Sequence, residues 1–264
     1  MNLSNKTVLL TGATGGLGRA IAKALAAKGA TVIVSSRKPE ELEALIAELP
    51  GSGHRSLVSD LAEAGAAQKL IAEAGEIDAM VANAALPASG YLDSFSSEEI
   101  QRAIRVNLEA PILQTHALLP ALIAKGEGHI VYISSLAGKV ASPGATMYNG
   151  TKFGLRGFAL ALRQDVAGSG VGTSVVLPGF VRDAGMFADS GAKPPPGMGT
   201  ATPEQVGAAV VTAIEQNKRE ITVAPPQQRA GASLAHHFPK LAEATARQGK
   251  KVSDQIAAGQ TEKR

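Results

Sequence analysis

The sequence predicts an α/β protein built around a doubly wound parallel sheet of about seven strands. Three observations lead to this prediction: short apolar runs rich in β-branched residues, Ala- and Leu-rich helical stretches between them, and a glycine-rich turn after the first run. The runs are almost continuously apolar, which is typical of strands buried on both faces of a parallel sheet. Strand–helix alternation over 264 residues fits one large domain better than two small ones, so we predict a single domain over residues 1–264.

The predicted strands are spread over most of the chain. They lie at Thr7–Leu10, Thr31–Ser35, Arg55–Val58, Asp78–Val81, His129–Ser134, Thr173–Leu177 and Glu220–Val223. The helical patterns between them include Leu17–Lys28, Glu40–Glu48 and Met147–Ala167, and Ala103–Leu119 also has a helical pattern.

Two segments depart from this alternation. Residues 180–202 contain three consecutive prolines and several glycines, which exclude a regular element throughout, and we predict a lid over the substrate there. Residues 225–264 form a C-terminal tail in which Leu234, Phe238 and Leu241 recur at helical spacing. We expect this apolar stripe to cover either a neighbouring subunit or the protein's own pocket.

Composition excludes several classes of protein. The chain has no cysteine, and the adjacent His236 and His237 do not face one site on a helix, so we predict no metal. The net charge is only +3 and no basic stripe with interleaved aromatic residues occurs, so we expect no nucleic-acid partner. No apolar stretch reaches membrane-spanning length and no export signal precedes the first strand, so we expect a cytoplasmic protein without a membrane partner.

A glycine-rich turn joins the first predicted strand to the first predicted helix. The N-terminus of a helix has free N–H groups and a positive dipole end, which stabilise a pyrophosphate, and glycine lets the backbone approach it closely. The strict G-x-G-x-x-G spacing is not met, and a tight connection without a ligand is the alternative interpretation. We predict that this turn binds a dinucleotide through Gly12, Thr14, Gly15, Gly16, Leu17 and Gly18.

The end of the second predicted strand indicates which dinucleotide binds. NAD sites usually have an acidic residue there to hold the ribose 2′-hydroxyl, whereas this chain has Ser36 and Arg37. A hydroxyl and a guanidinium bind a 2′-phosphate through charge-assisted hydrogen bonds. We therefore predict NADP, with NAD less favoured; the alternative is that Arg37 and Lys38 belong to a solvated loop.

The ordered motifs of the chain resemble those of the short-chain dehydrogenases/reductases. The resemblance spans residues 6 to about 183 and rests on Thr11-Gly12-x-x-x-Gly16-x-Gly18, Asn107, Ser135 thirteen residues before Tyr148, Tyr148-x-x-x-Lys152 and Pro178-Gly179. It implies a Rossmann-like fold and an oxidoreductase that moves a hydride between NADP and a carbonyl or alcohol carbon. It also implies cofactor contacts from Asp60, Leu61, Asn83, Tyr148, Lys152, Pro178, Gly179 and Val181.

Four residues are candidates for catalysis: Asn107, Ser135, Tyr148 and Lys152. Tyr148 and Lys152 share one helix face, and a nearby ammonium favours the phenolate, so we expect Lys152 to lower the pKa of Tyr148, the general acid/base. Ser135 is placed to hydrogen-bond the substrate oxygen, although it also fits a cap. Asparagine is unfavourable inside a helix, so Asn107 should have a specific partner, such as a water of the family's proton relay. Taken singly, Tyr148 and Lys152 also fit a packing and a surface position.

The sequence departs from the family pattern at the cofactor end. Ala85 replaces a family glycine just after Asn83, and Asp183 replaces a family threonine. A carboxylate only accepts hydrogen bonds, so Asp183 puts the anchoring of the nicotinamide amide in question. Asp60 fits an adenine-contacting position and equally an N-cap of the next helix.

The lid and the tail lie outside the resemblance and are expected to select the substrate. Met186, Phe187 and Met198 fit the wall of an apolar pocket or a core beneath a loop, and we predict a small, apolar ketone, aldehyde or secondary alcohol. The alternative function is a catalytically inactive, nucleotide-sensing regulator on the same fold, for which Asp183 is the best support. The resemblance implies a homodimer or homotetramer with the Tyr148 helix at one interface.

Overall fold

A single parallel sheet organises the molecule, whose computed structural model describes residues 1–237, 250 and 252–260. Its seven strands have the order β3-β2-β1-β4-β5-β6-β7, and every neighbouring pair is parallel. The strands are β1 (Thr7–Thr11), β2 (Thr31–Ser36), β3 (Arg55–Val58), β4 (Ala79–Ala82), β5 (Gly128–Ile133), β6 (Val171–Pro178) and β7 (Glu220–Val223). The predicted strands differ from these by no more than two residues at either end.

Helices cover both faces of the sheet, which confirms the doubly wound, Rossmann-like fold. One face is covered by α1 (Gly16–Ala26), α2 (Pro39–Glu48) and α8 (Pro203–Glu215), and the other by α3 (Ala66–Ala74), α5 (Ala110–Lys125) and α6 (Thr146–Asp165). Successive side chains of a strand point to opposite faces, so Val8 and Leu10 pack in the first core and Leu9 in the second. The chain is therefore folded as one domain around two apolar layers.

The outermost strand corrects one expectation from the sequence. Burial on both faces was expected for every strand, but Arg55 and Val58 of β3 are exposed and the residues between them are only half-buried. The reason is the position of β3 at the edge of the sheet, where the flanking helices cover it incompletely. The central strands β1, β4, β5 and β6 are buried as expected.

A widened helical turn separates α4 (Ser97–Ile104) from α5. Residues Arg105–Glu109 form a π-helical turn, so the helical pattern predicted over Ala103–Leu119 is present but not regular. Such turns inside α-helices are rare and often lie at functional sites. Asn107 is in this turn.

The segment after β6 leaves the sheet and returns to it as a closed loop. Two backbone hydrogen bonds join its ends. The Arg182 N–H donates to the Ala201 carbonyl oxygen at 3.0 Å, and the Ala201 N–H donates to the Phe180 carbonyl oxygen at 2.8 Å. Between them the chain forms only the short helix α7 (Met186–Asp189), which agrees with the irregular segment expected over residues 180–202. We call residues 180–202 the lid.

The C-terminal region adds two helical pieces, α9 (Pro226–His237) and residues 252–260, which we call the C-terminal segment. Of the predicted apolar stripe, Leu234 is exposed, and Phe238 and Leu241 lie outside the described residues. Within the described residues, no helix combines the length and the apolar character needed to cross a membrane.

Candidate active site

A long cleft crosses the carboxyl edge of the sheet where the strand order reverses between β1 and β4. Ligands of open α/β sheets bind at this point of the fold. The cleft has a volume of about 740 Å³. Most of the predicted cofactor residues line it: Gly12, Thr14, Gly15, Gly16, Leu17, Gly18, Ser36, Arg37, Asp60, Leu61 and Asn83.

Two glycines of the turn after β1 cannot be replaced without moving backbone. Gly12 has a φ of 63°, and a Cβ there would lie 2.8 Å from the Cα of Ala84. A Cβ on Gly18 would lie 2.2 Å from the carbonyl oxygen of Gly12, because α1 begins directly against the turn. The backbone N–H groups at the start of α1 therefore come to the floor of the cleft, as a pyrophosphate site requires.

A pair of polar side chains joins the ends of β1 and β4. The Asn83 amide nitrogen donates to the carbonyl oxygens of Thr11 and Gly12, both at 3.0 Å. The Thr11 hydroxyl oxygen in turn accepts from the N–H groups of Asn83 and Ala84 at 3.1 Å. This reciprocal bonding holds the two strand ends at a fixed separation, and Ala85 lines the cleft beside them.

The far end of the cleft contains a cation, Arg37, that no described residue engages. Lys38 donates to Glu41 at 2.6 Å, and its backbone N–H donates to the Ser36 hydroxyl at 3.3 Å. Arg37 is exposed on the cleft wall and has neither a hydrogen bond nor an ion pair among the described residues. A guanidinium in this state is available to an anion such as a phosphate.

Asp60 lies in the same part of the cleft and corrects one alternative from the sequence. Its carboxylate accepts from the Ala62 N–H at 3.0 Å, whereas the N-cap of α3 is Gly65. The N-capping interpretation is therefore wrong, since residues 61–64 separate Asp60 from the helix.

Ser135 and Tyr148 line a second cavity of about 310 Å³. Ser135 follows β5 and accepts from the Ala137 N–H at 3.1 Å, so it does cap the turn Leu136–Gly138; its Oγ also lies 3.4 Å from the Pro178 carbonyl oxygen. Gly179, one of the predicted cofactor residues, lines this cavity as well. Lys152, Pro178 and Val181 are buried and line neither of the two cavities.

Lys152 is buried behind Tyr148 on α6. Its ammonium donates to the Ile133 carbonyl oxygen at 3.0 Å and lies 5.7 Å from the centroid of the Tyr148 ring. Its own backbone carbonyl accepts from the Ser134 hydroxyl at 2.9 Å. Residues at the end of β5 therefore hydrogen-bond both the side chain and the backbone carbonyl of Lys152, and these bonds fix the position of its side chain.

The pKa values of this pair differ from the sequence-based expectation. Burial raises the pKa of the Tyr148 hydroxyl above its ordinary value, and the Ser135 side chain offsets only part of the rise. Burial also lowers the pKa of Lys152 to about 8. The expected lowering of the Tyr148 pKa by Lys152 is not seen in the ligand-free chain, because burial disfavours both charged forms. Tyr148 consequently carries its proton at neutral pH.

Asn107 has a specific partner, as predicted, and this partner is the backbone of Leu86. Its side chain is buried; Oδ1 accepts from the Leu86 N–H at 2.6 Å and Nδ2 donates to the Leu86 carbonyl oxygen at 2.9 Å. Leu86 lines the cleft after β4. The π-helical turn thus holds the chain that follows β4 against the cleft.

Asn149 is a site residue to which the sequence analysis assigned no role. Its amide nitrogen donates to the carbonyl oxygens of Ala137 and Val140 at 2.6 and 2.8 Å, and Oδ1 accepts from the Ser142 N–H at 3.2 Å. All three partners line the second cavity. An asparagine next to Tyr148 inside a helix was the signal available, because asparagine is a poor helix former.

The second cavity is closed by the lid and the C-terminal region. Met186, Phe187 and Met198 line it, which confirms the apolar wall predicted for the lid. Its further lining from outside the family resemblance, which the sequence did not indicate, includes Gln228, Ser253, Ile256 and Gln260. Among the described residues, no Asp, Glu, Lys, Arg or His lines this cavity.

The start of the lid packs on the glycine turn. Ala184 lies so close to Gly16 that a Cβ on Gly16 would be 2.3 Å from the Ala184 Cβ, and Gly185 lies beside Leu17. Asp183 has a φ of 66°, is exposed, and pairs with Arg182 at 3.2 Å on the surface. Over the described part of the chain, no cluster of His, Asp and Glu is suited to hold a metal ion.

Comparison with known proteins agrees with this geometry. The short chain dehydrogenase family matches residues 6–195. The ketoacyl reductase HetN of Nostoc sp. strain PCC 7120 is 37% identical over 227 residues, which cover 84% of this chain and 79% of HetN. The 3-oxoacyl-[acyl-carrier-protein] reductase FabG of Escherichia coli K12 is 34% identical over 185 residues, or 69% of this chain and 75% of FabG.

Solved structures show the same fold. A 3-oxoacyl (acyl-carrier-protein) reductase from Agrobacterium tumefaciens C58 with NADP bound has a TM-score of 0.77 and 26% identity, covering 84% of this chain and 94% of that protein. A metagenomic short-chain oxidoreductase in complex with NADP has a TM-score of 0.71 and 30% identity, covering 85% and 99%.

Proposed function

Because the chain belongs to the short-chain dehydrogenases, a family of NAD(P)-dependent oxidoreductases, we propose that it reduces a small, uncharged, apolar ketone or aldehyde with NADPH, or oxidises a secondary alcohol of this kind. The observation that carries the proposal is the meeting of Ser135 and Tyr148 in one apolar cavity beside the dinucleotide cleft. The two cavities share Met186 of the lid, which supports binding of a substrate next to the nicotinamide.

The residues of the cleft fit a dinucleotide. Gly12 and Gly18 allow the backbone of the turn to pack closely where a side chain would clash, and the start of α1 offers N–H groups to the pyrophosphate. When bound, NADPH supplies the hydride that adds to the carbonyl carbon and is itself oxidised to NADP⁺. Asn83, Asp60 and Leu61 form the wall on the adenosine side, and Pro178, Gly179 and Val181 follow from the end of β6.

The proton is supplied by Tyr148. Its raised pKa keeps the hydroxyl protonated at neutral pH, so it donates a proton to the carbonyl oxygen as the carbon is reduced. Ser135 donates a hydrogen bond to the same oxygen as negative charge develops there. Lys152 holds the nicotinamide ribose, and Asn107 positions the cleft wall through Leu86.

NADP is the proposed cofactor because Arg37 is unengaged within the described chain and stands beside Ser36 at the end of β2. A carboxylate, which would repel a 2′-phosphate, is absent from these two positions. Both solved structures described above bind NADP.

The apolar, uncharged cavity supports an uncharged substrate. Burying a charge without a partner is costly, and none of the described lining residues carries one. The relatives named for reduction of ketoacyl groups support a β-keto carbonyl compound as the first substrate to try. Residues 180–202 act as the lid, and the described part of the tail 225–264, namely α9 and the C-terminal helical residues 252–260, shapes the cavity.

The decisive test is turnover of uncharged ketones and aldehydes by the wild type and by Tyr148→Phe. Loss of the proton donor should lower kcat about a thousandfold while NADPH still binds. The matched control is Tyr132→Phe. Tyr132 is buried, its hydroxyl is hydrogen-bonded with Thr115, and it lines neither cavity, so its replacement should leave kcat unchanged. If the wild type binds NADPH but reduces none of these compounds, the nucleotide-sensing regulator becomes the better hypothesis. Asp183, turned to the surface instead of the cleft, is the observation that favours it.

The oligomeric state and the location remain predictions. We propose a homodimer or homotetramer with α6 at one interface, because the large apolar side chain of Phe153 on this helix is 39% exposed. Light scattering should then give a mass of two or four chains, and Phe153→Asp should lower it; a monomeric wild type would contradict the proposal. A cytoplasmic location also remains a prediction.

A further inference from the structure

The C-terminal segment contacts both the lid and Tyr91, which lies after β4. The Tyr91 hydroxyl donates to Asp254 at 3.1 Å, and the Gln260 amide nitrogen donates to the Met186 carbonyl oxygen at 3.3 Å. Gly259 lies so close to Ser190 that a Cβ there would be 2.5 Å from the Ser190 carbonyl oxygen. These contacts place Gln260 in the wall of the substrate cavity.

The orientation of the Gln260 amide follows from its partner. A backbone carbonyl only accepts hydrogen bonds, so the amide nitrogen must face Met186 and the oxygen must face the other way. Gln260 is only 3% exposed, and no donor among the described residues reaches its Oε1. A buried carbonyl oxygen without a donor is unfavourable and calls for a partner that the described residues do not provide.

The other residues that line the cavity limit which chemical groups the partner of Gln260 can carry. The described residues around the cavity are apolar apart from hydroxyls and the two glutamines, and none is charged. The other glutamine is fully engaged: Gln228 accepts from the Phe180 N–H at 3.1 Å and donates to the Gly199 and Met198 carbonyl oxygens at 2.9 and 3.3 Å. Gln228 is therefore committed to the ends of the lid, and Gln260 alone of the two has a free acceptor.

We propose that Gln260 selects substrates that carry a neutral hydrogen-bond donor, a hydroxyl or an amide N–H, on an otherwise apolar body. Oε1 of Gln260 accepts this hydrogen bond on the lid side of the cavity, while Ser135 and Tyr148 hold the carbonyl oxygen. The inference rests on the proposed function, because it assumes that this cavity receives the substrate. A site built to accept a hydrogen bond discriminates against an analogue without the donor.

The test measures binding without turnover. The protein saturated with NADP⁺ is titrated calorimetrically with methyl ketones of increasing chain length that end in a hydroxyl, each beside the ketone that ends in a methyl group instead. At the chain length that reaches Gln260, the hydroxyl compound should bind wild type about tenfold more tightly than its methyl partner. Gln260→Met should abolish that difference and leave the affinity for the methyl ketones within about twofold. The control Gln255→Met, an exposed position of the same segment, should behave as wild type.

Each outcome separates the two proposals. A preference for the hydroxyl compounds that disappears in Gln260→Met supports the inference even if NADPH reduces none of these ketones, in which case only the proposed function fails. Turnover of the ketones with no hydroxyl preference in the wild type overturns the inference and leaves the proposed function standing. An equal loss of affinity for both kinds of ketone in Gln260→Met overturns it as well, because the glutamine then has only a structural role. Failure of every ketone to bind overturns it too.

Discussion

The dinucleotide cleft and the substrate cavity are adjacent, yet they are built in different ways. The cleft is made of strand ends and tight turns, and backbone groups or short polar side chains such as Asn83 and Thr11 determine its shape. The cavity is made of Ser135 and Tyr148 on the sheet side and of segments after β6 on the other. The first is a property of the sheet itself, whereas the second depends on how the lid and the C-terminal segment dock on it. The difference suggests that cofactor and substrate selectivity can change separately.

The largest effect on binding is expected from crowding the cleft. Gly18→Ala places a methyl group against the Gly12 carbonyl oxygen and should weaken NADPH binding about a hundredfold, since overpacking against backbone typically costs about 1–3 kcal/mol. Fluorescence titration of NADPH measures this. The matched control is Gly157→Ala, which is also in a helix but has no atom within 4 Å; it should bind NADPH normally and gain about 0.5–1 kcal/mol of stability. Equal binding by both variants would mean that the glycine turn is not the pyrophosphate site.

A smaller effect is expected at the far end of the cleft. Arg37→Ala removes the unengaged guanidinium and should weaken NADPH binding about tenfold while leaving NADH binding unchanged. Lys38→Ala removes a neighbouring charge that is already paired with Glu41 and should change the ratio of the two Kd values little. If NADH binds wild type as tightly as NADPH, the cofactor proposal is wrong but the oxidoreductase remains.

The substrate cavity should respond to a change that leaves the cleft intact. Gly259→Ala forces the C-terminal segment away from Ser190 and should raise the KM for ketones about fivefold with no change in the Kd of NADPH, a loss of about 1 kcal/mol. Steady-state kinetics and a nucleotide titration on one preparation separate the two constants. A parallel rise in both would show that the cavities are not independent.

The smallest effect is the titration of Lys152, which is buried behind Tyr148. Burial lowers the pKa of Lys152, so its ammonium should lose its proton near pH 8 in the ligand-free protein, well before the other lysines. Unfolded chains hold that proton up to about pH 10.4, so stability should rise with pH between the two values as the cost of the buried charge disappears. NMR of isotope-labelled lysine side chains detects the transition, and Lys152→Met identifies the signal by removing it. A titration near the ordinary lysine value would contradict the burial described here.

The sequence predicted the first region better than the second for a physical reason. The strand positions and the glycine turn depend on neighbouring residues, so their apolar runs and spacing reveal them. The edge exposure of β3 does not follow from its own residues, because it depends on which strands surround it. The hydrogen-bond partners of Asn149 lie within twelve residues of it along the chain. The local sequence therefore contained a signal for them, which was the asparagine inside a helix.

The substrate side depends on contacts that no local pattern encodes. Gln260 meets Met186 from 74 residues away, and Tyr91 meets Asp254 from 163 residues away. The composition of the lid indicated its apolar residues. It did not indicate the C-terminal residues that close the cavity over them. It also expected the pKa of Tyr148 to fall, because proximity to Lys152 is visible in the sequence and burial of the pair is not.

The packing of Ala184 and Gly185 on the glycine turn has a consequence for the order of events in a catalytic cycle. The same loop rests on the pyrophosphate site at its start and walls the substrate cavity through Met186. A loop in this position has to lift if a dinucleotide is to enter or leave beneath it, and lifting would remove one wall of the substrate cavity. We therefore expect an ordered cycle in which the nucleotide binds first and leaves last.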